Sequence, residues 1–286
     1  MGALLLVGHG TTSPAGVNQF DELVHLVRAT HPGDQVEGGF LELASPPIQV
    51  AAARLAGAGH AVVDVVPLVL VAAGHSKGDI PAALARERER HPGLALRYAR
   101  PLGPHPDLLA DLADRLRAVV EEELWPSTAV ILVGRGATDP DANAEVAKTS
   151  RLLFEGRGIG TVETSFVSLA EPGVVAALDR TSRLGFDRVV VLPYFLFAGV
   201  LPDRIATQTA AWSAANPAVD VRLAGVIGPS PRLAGLVAVR RAELSGGDIR
   251  MNCDTCAYRV ALPGFGDKLG AAQAPHHHPD DPSHRH

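Results

Sequence analysis

The sequence predicts an α/β protein of two tandem, doubly wound domains, each with a parallel four-stranded sheet, followed by an irregular C-terminal tail. Three observations predict this architecture: an internal repeat, strands that are almost continuously hydrophobic, and helical segments that alternate with the strands. Strands that are covered by helices on both faces lose the polar alternation of half-exposed strands. Regular alternation of strand and helix produces a right-handed, doubly wound parallel sheet.

The repeat is visible as motifs that recur in the same order. VGHGTTSP reappears as VGRGATDP, FLELASP reappears as FVSLAEP, and GHSKGDI reappears as GVLPDRI. The paired segments are Val7–Pro14 with Val133–Pro140, 40–46 with 166–172, and 74–80 with 199–205. The offset is 126 positions for the first two pairs and 125 for the third, so the first copy has one additional residue near Ala73. Matches in register indicate a duplicated unit.

Each copy is predicted to alternate four strands with four helices. The strands of the first copy lie near 3–7, 36–42, 61–70 and 94–100, and its helices near 17–30, 46–58, 79–91 and 106–124. The strands of the second copy lie near 129–133, 161–168, 188–196 and 219–224, and its helices near 141–156, 172–184, 203–215 and 230–244. A charged helix ends and Pro126 interrupts the chain near Leu124–Thr128. We therefore place the domains at 1–125 and 126–245.

Residues 246–286 are predicted to form a flexible Cys- and His-rich tail, because they contain too little apolar surface for a core. Cys253 and Cys256 form a C-x-x-C motif, half of what a four-cysteine zinc or iron–sulfur site takes, and a surface dithiol is the alternative. The histidines of the tail suit a loose auxiliary site for Co²⁺ or Ni²⁺, and a solvated tail fits equally well. The histidines in question are His276, His277 and His278.

Composition excludes several classes of partner. The formal net charge is −5, so no basic field attracts nucleic acid or anionic lipid. The most apolar stretch, 61–73, is too short to span a bilayer, and no signal peptide is recognisable, so we expect a cytoplasmic protein that binds no membrane. No G-x-G-x-x-G or Walker motif indicates a nucleotide. The sequence leaves the choice between monomer and homodimer open.

Three residues with metal-binding side chains follow predicted strands of the first copy. His9 follows the first strand, Glu42 ends the second and His75 follows the third. Ligands of open parallel sheets gather beyond the carboxyl ends of the strands. Two imidazoles and a carboxylate form a partial shell for a divalent transition metal, with positions left for a substrate. The sequence therefore predicts a metal site and catalytic centre at this edge.

The second copy has lost all three of these side chains. Arg135 replaces His9, Ser168 replaces Glu42 and Val200 replaces His75, whereas the glycines and prolines of the motifs are kept. Residues needed only for packing would survive equally in both copies. We expect one site per chain, in the N-terminal domain.

GHGTTSP, FLELASP and PLVLVAAGHSKGDIP resemble the motifs of the class II chelatases, and most of all those of the sirohydrochlorin chelatases of cobalamin and sirohaem synthesis. The resemblance covers the whole chain, because long members of the family also contain two fused copies. It implies that His9, Glu42 and His75 hold a metal and assist proton removal without ATP. Some long cobalt-type members also resemble this chain in an M-x-C-x-x-C motif and a histidine-rich end, associated there with an iron–sulfur cluster.

The implied reaction is insertion of Co²⁺ into the tetrapyrrole sirohydrochlorin. Lys77, Arg135 and Arg204 are then candidate counter-charges for its carboxylates, as are backbone amides near Thr11–Ser13 and Lys77–Asp79. Asp79 itself is expected to cap the following helix.

The sequence leaves two alternatives open. The same site could insert Fe²⁺ to make sirohaem, since the ligand types do not separate these metals. A non-catalytic metal carrier or sensor, with the tail holding metal, belongs to a different class of function.

Overall fold

The structure is a computed structural model that describes residues 2–246 and 266–270. Its described residues form two compact units, the first of residues 2–102 together with the described residues from Ala234 onward, and the second of Gly103–Leu233. Each unit is built around a four-stranded sheet whose paired strands all run parallel. The predicted fold class is confirmed.

The first unit alternates strands and helices along the chain. Its elements are β1 (Ala3–Gly8), α1 (Pro14–Thr30), β2 (Gln35–Phe40), α2 (Ile48–Gly57), β3 (Val62–Pro67), a π-helix (His75–Asp79), α3 (Ile80–Arg90), β4 (Ala95–Tyr98) and α8 (Pro231–Gly246). The strand order is β2-β1-β3-β4, so β1 lies between β2 and β3. The order reverses between β1 and β3.

The two central strands of the first sheet, β1 and β3, are almost entirely buried, which explains their nearly continuous hydrophobic sequences. Leu5 and Val7 of β1 pack with residues of α2 and α3 in one core cluster. On the opposite face Phe20 of α1 lies so close to Gly8 and Gly38 that a methyl group on either glycine would meet its ring within 2.9 Å. Helices on both faces are what an all-parallel sheet requires.

The second unit repeats the same arrangement. Its elements are α4 (Pro106–Arg117), a 3₁₀-helix (Glu122–Ser127), β5 (Thr128–Gly134), α5 (Pro140–Phe154), β6 (Thr161–Phe166), α6 (Val174–Arg183), β7 (Arg188–Pro193), α7 (Val200–Ala215) and β8 (Asp220–Leu223). The strand order is β6-β5-β7-β8. The pairing of β5 with its neighbours matches that of β1, shifted by the repeat.

The compact units do not coincide with the repeats. Helix α4 follows β4 of the first repeat but contacts α5 and β7 of the second unit. Its leucines 108, 112 and 116 form a buried stripe at helical spacing. Helix α8 follows β8, yet from Ala234 it belongs to the first unit. The domain limits predicted at residues 125 and 245 follow the repeats, whereas the units differ from them by one helix each.

Two predicted elements differ in detail from the structure. The helix expected over 106–124 ends at Arg117, and a separate 3₁₀-helix follows at Glu122–Ser127, where Pro126 cannot continue an α-helix. The helix expected from residue 79 is preceded by the π-helix. Of the predicted tail, the structure describes Gly246 and residues 266–270, which include a 3₁₀-turn at Gly266–Lys268.

Candidate metal centre

The strand order brings three loops of the first unit to one place. The loop after β1 carries His9, the loop after β2 carries Glu42, and the segment after β3 leads to His75. Because β1 is flanked by β2 and β3, the three carboxyl ends are neighbours. The site therefore lies where the strand order reverses, which is the position at which open α/β sheets bind ligands.

Backbone hydrogen bonds lock the first two loops together. Leu41 N–H donates to the Gly8 carbonyl (2.9 Å), and Glu42 N–H donates to the His9 carbonyl (3.0 Å). Gly10 has a φ of 107°, and a Cβ there would lie 1.8 Å from the Glu42 carbonyl oxygen. Only glycine permits this approach. The contact fixes His9 beside Glu42.

The side chain of His9 contacts the side chains of both Glu42 and His75. Nε2 of His9 lies 3.0 Å from Nε2 of His75 and 3.2 Å from Oε1 of Glu42. The two imidazole rings meet edge to face, with an interplanar angle of 84°. The Glu42 side chain is only 5% exposed, whereas that of His9 is 25% exposed. A cation bound at this place would offset the charge of the buried carboxylate.

The spacing of these atoms suits ligands of one metal ion. Two ligand atoms about 2.0–2.1 Å from a metal, at octahedral or tetrahedral angles, lie about 2.8–3.4 Å apart. The two donor–donor distances above fall within that range. Among the residues that the structure describes, no His, Cys, Asp and Glu side chains form a complete metal-binding group of three or more. The role of these three residues as ligands therefore stays a prediction.

The π-helix holds His75 and pairs it with Asp79. His75 Nδ1 lies 2.7 Å from Oδ2 of Asp79, and the His75 side chain is 7% exposed. Asp79 occupies the N-cap position of α3 but makes no side-chain capping bond. The prediction that Asp79 caps this helix is wrong, because its carboxylate faces the imidazole instead. The sequence signal that could have indicated this contact is the four-residue spacing of His75 and Asp79.

The chain matches the CbiX family over residues 3–119 and again over residues 129–244. This protein belongs to the CbiX family. A sirohydrochlorin cobaltochelatase of Priestia megaterium is 37% identical over 267 residues, which cover 92% of this chain and 86% of the relative. A sirohydrochlorin ferrochelatase of the same organism is 30% identical over 208 residues, covering 73% of this chain and 78% of the relative. The solved structure of SirB from Bacillus subtilis with Fe³⁺ has a TM-score of 0.75 and 27% identity, and covers 87% of this chain and 99% of that chain.

The second CbiX repeat keeps the loop geometry without the three side chains. Gly136 has a φ of 84°, and a Cβ there would lie 1.8 Å from the Ser168 carbonyl oxygen. Ser168 N–H donates to the Arg135 carbonyl at 3.0 Å, as Glu42 N–H does to His9. The backbone of the motif is thus independent of the side chains that we predict to bind a metal.

The one-residue difference between the CbiX repeats coincides with the π-helix. Gly74 already has helical dihedral angles, and the equivalent helix α7 begins at Val200, 126 positions later. Ile80 and Ile205 are both fully buried and lie 125 positions apart. The additional residue of the first repeat therefore lies between Gly74 and Ile80. Inserted residues of this kind are frequent at functional sites as π-bulges.

The other predicted site residues are placed as follows. Lys77 lies in the π-helix, two residues from His75, and is half-buried. Arg135 follows β5, and Arg204 lies in the first turns of α7; both are half-buried members of the second unit. Cys253 and Cys256 lie outside the described residues. So do the tail histidines His276, His277 and His278.

Two of the backbone amides predicted to bind substrate carboxylates already have acceptors within the chain. Lys77 N–H donates to the Ala73 carbonyl at 2.9 Å, because the helix has already begun at Gly74. Ser13 N–H donates to the Thr11 hydroxyl at 3.1 Å.

In the part of the chain that the structure describes, no helix is both long and apolar enough to cross a membrane.

Proposed function

We propose that this protein is a sirohydrochlorin chelatase that inserts Co²⁺ through His9, Glu42 and His75. The observation that carries the proposal is the contact of two imidazole Nε2 atoms and one buried carboxylate at the reversal point of the first sheet. Membership of the CbiX family and the cobaltochelatase of Priestia megaterium support the substrate and the metal.

The chemistry of insertion matches these residue types. Placing a divalent metal in a free tetrapyrrole releases two pyrrole protons, so the site must deliver a cation and accept protons near neutral pH. Neutral histidine ligates metals, and its ordinary pKa of about 6.5 suits proton transfer. Glu42 offsets the charge of the bound cation. His9 is the more exposed of the two imidazoles, and we assign it the proton-accepting role.

Lys77 is the counter-charge that we propose for the substrate in the first unit. It lies on the same π-helix as His75, and its side chain is half-buried. Sirohydrochlorin carries peripheral carboxylates, so a nearby ammonium group favours its binding. We propose Arg135 and Arg204 as further counter-charges for the same carboxylates, because they too carry a positive charge.

Insertion of Fe²⁺ is the second candidate. The ferrochelatase of Priestia megaterium and the Fe³⁺-containing SirB structure favour it. Imidazole and carboxylate ligands accept both metals, so the preference depends on supply and affinity.

The deciding experiment is anaerobic incubation of the purified protein with sirohydrochlorin and either Co²⁺ or Fe²⁺, followed by absorbance. Wild-type protein accelerates the spectral change over the uncatalysed rate, and the better metal has the higher kcat/KM. His9→Ala and His75→Ala each fall to near the uncatalysed rate, because each removes a ligand. His25→Ala is the matched control, since His25 is an exposed residue of α1.

Two results would overturn the proposal. Wild-type protein that fails to accelerate insertion of either metal would exclude a chelatase. Full activity in both His9→Ala and His75→Ala, with His25→Ala behaving alike, would place the site elsewhere.

A further inference from the structure

The contact between His75 and Asp79 selects one orientation of the imidazole. The 2.7 Å distance joins Nδ1 of His75 to Oδ2 of Asp79. An ionised carboxylate can only accept a hydrogen bond, so Nδ1 carries the hydrogen and donates it. In neutral His75 the lone pair then lies on Nε2, the atom that faces His9 at 3.0 Å.

We propose that Asp79 is a positioning residue that keeps His75 Nε2 ready to bind the substrate metal. Histidine ligands commonly donate their second ring N–H to a carboxylate, which fixes the tautomer and the ring direction. Here the carboxylate comes from the same helix as the imidazole, four residues further on. This inference deepens the proposed function and rests on it.

A second contact fixes the π-helix from the sheet. The Tyr98 hydroxyl, at the end of β4, donates to the Ser76 carbonyl at 3.0 Å. Burial raises the pKa of Tyr98 above its usual range, so the hydroxyl keeps its hydrogen. The Ser76 side chain bonds to both the N–H and the carbonyl of Ala73. The turn that carries His75 and Asp79 is therefore anchored on both sides.

The second repeat acts as an internal comparison. When GHSKGDI is aligned with GVLPDRI, at an offset of 125 positions that also relates β4 to β8, the second repeat has Val200, Leu201, Arg204 and Leu223 in place of His75, Ser76, Asp79 and Tyr98. Its helix begins as an ordinary α-helix at Val200. The π-helix, Asp79 and Tyr98 therefore occur in the repeat that contains His75. The second repeat has none of these features. A residue needed only to start the helix would not follow this pattern.

The test compares Asp79→Ala, Asp79→Glu and Asp107→Asn in the full chain. We measure kcat and the KM for Co²⁺ in the insertion assay, and Co²⁺ affinity of the protein without tetrapyrrole. Long-range ¹H–¹⁵N correlation spectra at alkaline pH identify the tautomer of His75, assigned with a His75→Gln variant. Asp107→Asn is the matched control, because Asp107 Oδ2 lies 3.4 Å from His105 Nδ1 in the second unit.

We expect Asp79→Ala to weaken Co²⁺ binding and raise its KM about 10–100-fold, with a smaller change in kcat. The Nδ1–H form of His75 dominates in the wild type and loses its preference in Asp79→Ala. Asp79→Glu recovers part of the affinity, and Asp107→Asn behaves as wild type. Unchanged Co²⁺ affinity and an unchanged His75 tautomer in Asp79→Ala would overturn the inference.

The readouts separate this inference from the proposed function. A wild-type protein that inserts neither metal contradicts the function, and the Co²⁺ affinity and tautomer of Asp79→Ala still decide the role of Asp79. If Asp79→Ala does not fold, the nearly isosteric Asp79→Asn decides, because its neutral amide accepts a weaker hydrogen bond. A raised KM for Co²⁺ with a reduced preference for the Nδ1–H form of His75 would support the inference, and a wild-type KM with a wild-type tautomer would overturn it.

Discussion

At the scale of single residues, Gly10 determines how closely the two loops of the site approach. Its positive φ and the absence of a Cβ let the Glu42 carbonyl lie where a methyl group would otherwise be. Gly136 makes the same contact with the Ser168 carbonyl in the second repeat. The two glycines therefore have equal steric roles, but only one of them stands beside the proposed ligands.

We expect Gly10→Ala and Gly136→Ala to destabilise their own units by similar amounts, at least about 1–3 kcal/mol for the unfavourable φ alone. Only Gly10→Ala also weakens Co²⁺ binding, since it separates His9 from Glu42. Urea unfolding measures the first effect and Co²⁺ titration the second. Trp125 and Trp212, the two tryptophans of the chain, both belong to the second unit, so tryptophan fluorescence follows that unit and far-UV circular dichroism follows both.

The outcome that contradicts this account is loss of Co²⁺ affinity in Gly136→Ala to the same degree as in Gly10→Ala. That result would mean that metal binding depends on general loosening rather than on the contact between the loops.

His9, Glu42 and His75 could be predicted as a group because the type of each residue and its position after a strand can both be recognised in the sequence. Asp79 was misinterpreted because aspartate before a helix is usually a cap. Its true partner depends on the π-helix, which has no composition signal. The additional residue near Ala73 was visible as a change of offset, but the element that accommodates it was not.

At the scale of elements, the site depends on strand order, which the sequence did not give. Periodicity showed four strands per repeat, but only the order β2-β1-β3-β4 makes the three carboxyl ends adjacent. The position of helix α8 along the sequence was also predicted, but the unit to which it belongs was not. From Ala234 it belongs to the first unit, where its charged side chains make several hydrogen bonds.

Arg241 joins α8 to two acidic residues of the first unit. Its guanidinium bonds to Oδ2 of Asp34 and, at 3.0 Å, to Oδ2 of Asp64. Burial disfavours its charge, but the hydrogen bonds to the two carboxylates outweigh burial and raise the pKa of Arg241. The hydrogen bond from Arg241, followed by that from Gly2 N–H, holds the pKa of Asp34 below its ordinary value of 3.8.

We expect Arg241→Met to lower the free energy of unfolding of the first unit by about 2–3 kcal/mol at neutral pH. The value lies below that for a fully buried pair, because the Arg241 side chain is 16% exposed. A carboxyl with a lowered pKa stabilises the fold fully above its unfolded pKa and loses that contribution as pH falls through its folded pKa. The difference between wild type and variant therefore shrinks below about pH 4.

Urea unfolding followed by circular dichroism across this pH range provides the measurement. Arg188→Met is the control, because the Arg188–Asp220 pair of the second unit is more exposed and is expected to contribute about 0–1 kcal/mol. A variant difference that stays constant or grows as pH falls would contradict the assignment to Asp34.

At the scale of the whole molecule, each compact unit is completed by the helix that follows the other repeat. Helix α4 provides the second unit with its buried leucine stripe, and α8 provides the first unit with Leu236, Val237 and the fully buried Arg240. The guanidinium of Arg240 donates to the Pro101 and Leu102 carbonyls. The unit that carries the proposed metal site is therefore finished by residues from the far end of the chain.

This connectivity predicts opposite results for two truncations only thirteen residues apart. A chain that ends at Gly246 keeps α8 and removes the segment with Cys253, Cys256 and the tail histidines. A chain that ends at Leu233 also removes the part of α8 that belongs to the first unit. We expect the first truncation to retain insertion of Co²⁺ at saturating metal, and the second to fall to the uncatalysed rate.

Tryptophan fluorescence and circular dichroism together identify why the Leu233 truncation loses activity. The Leu233 truncation should keep the fluorescence transition of Trp125 and Trp212 while circular dichroism shows that the first unit has unfolded, because a buried arginine and an apolar helix face have been removed from that unit alone. Loss of turnover at saturating Co²⁺ in the Gly246 truncation would instead favour a carrier whose metal is held by the tail. A Leu233 truncation that stays folded and active would show that the first unit does not need α8.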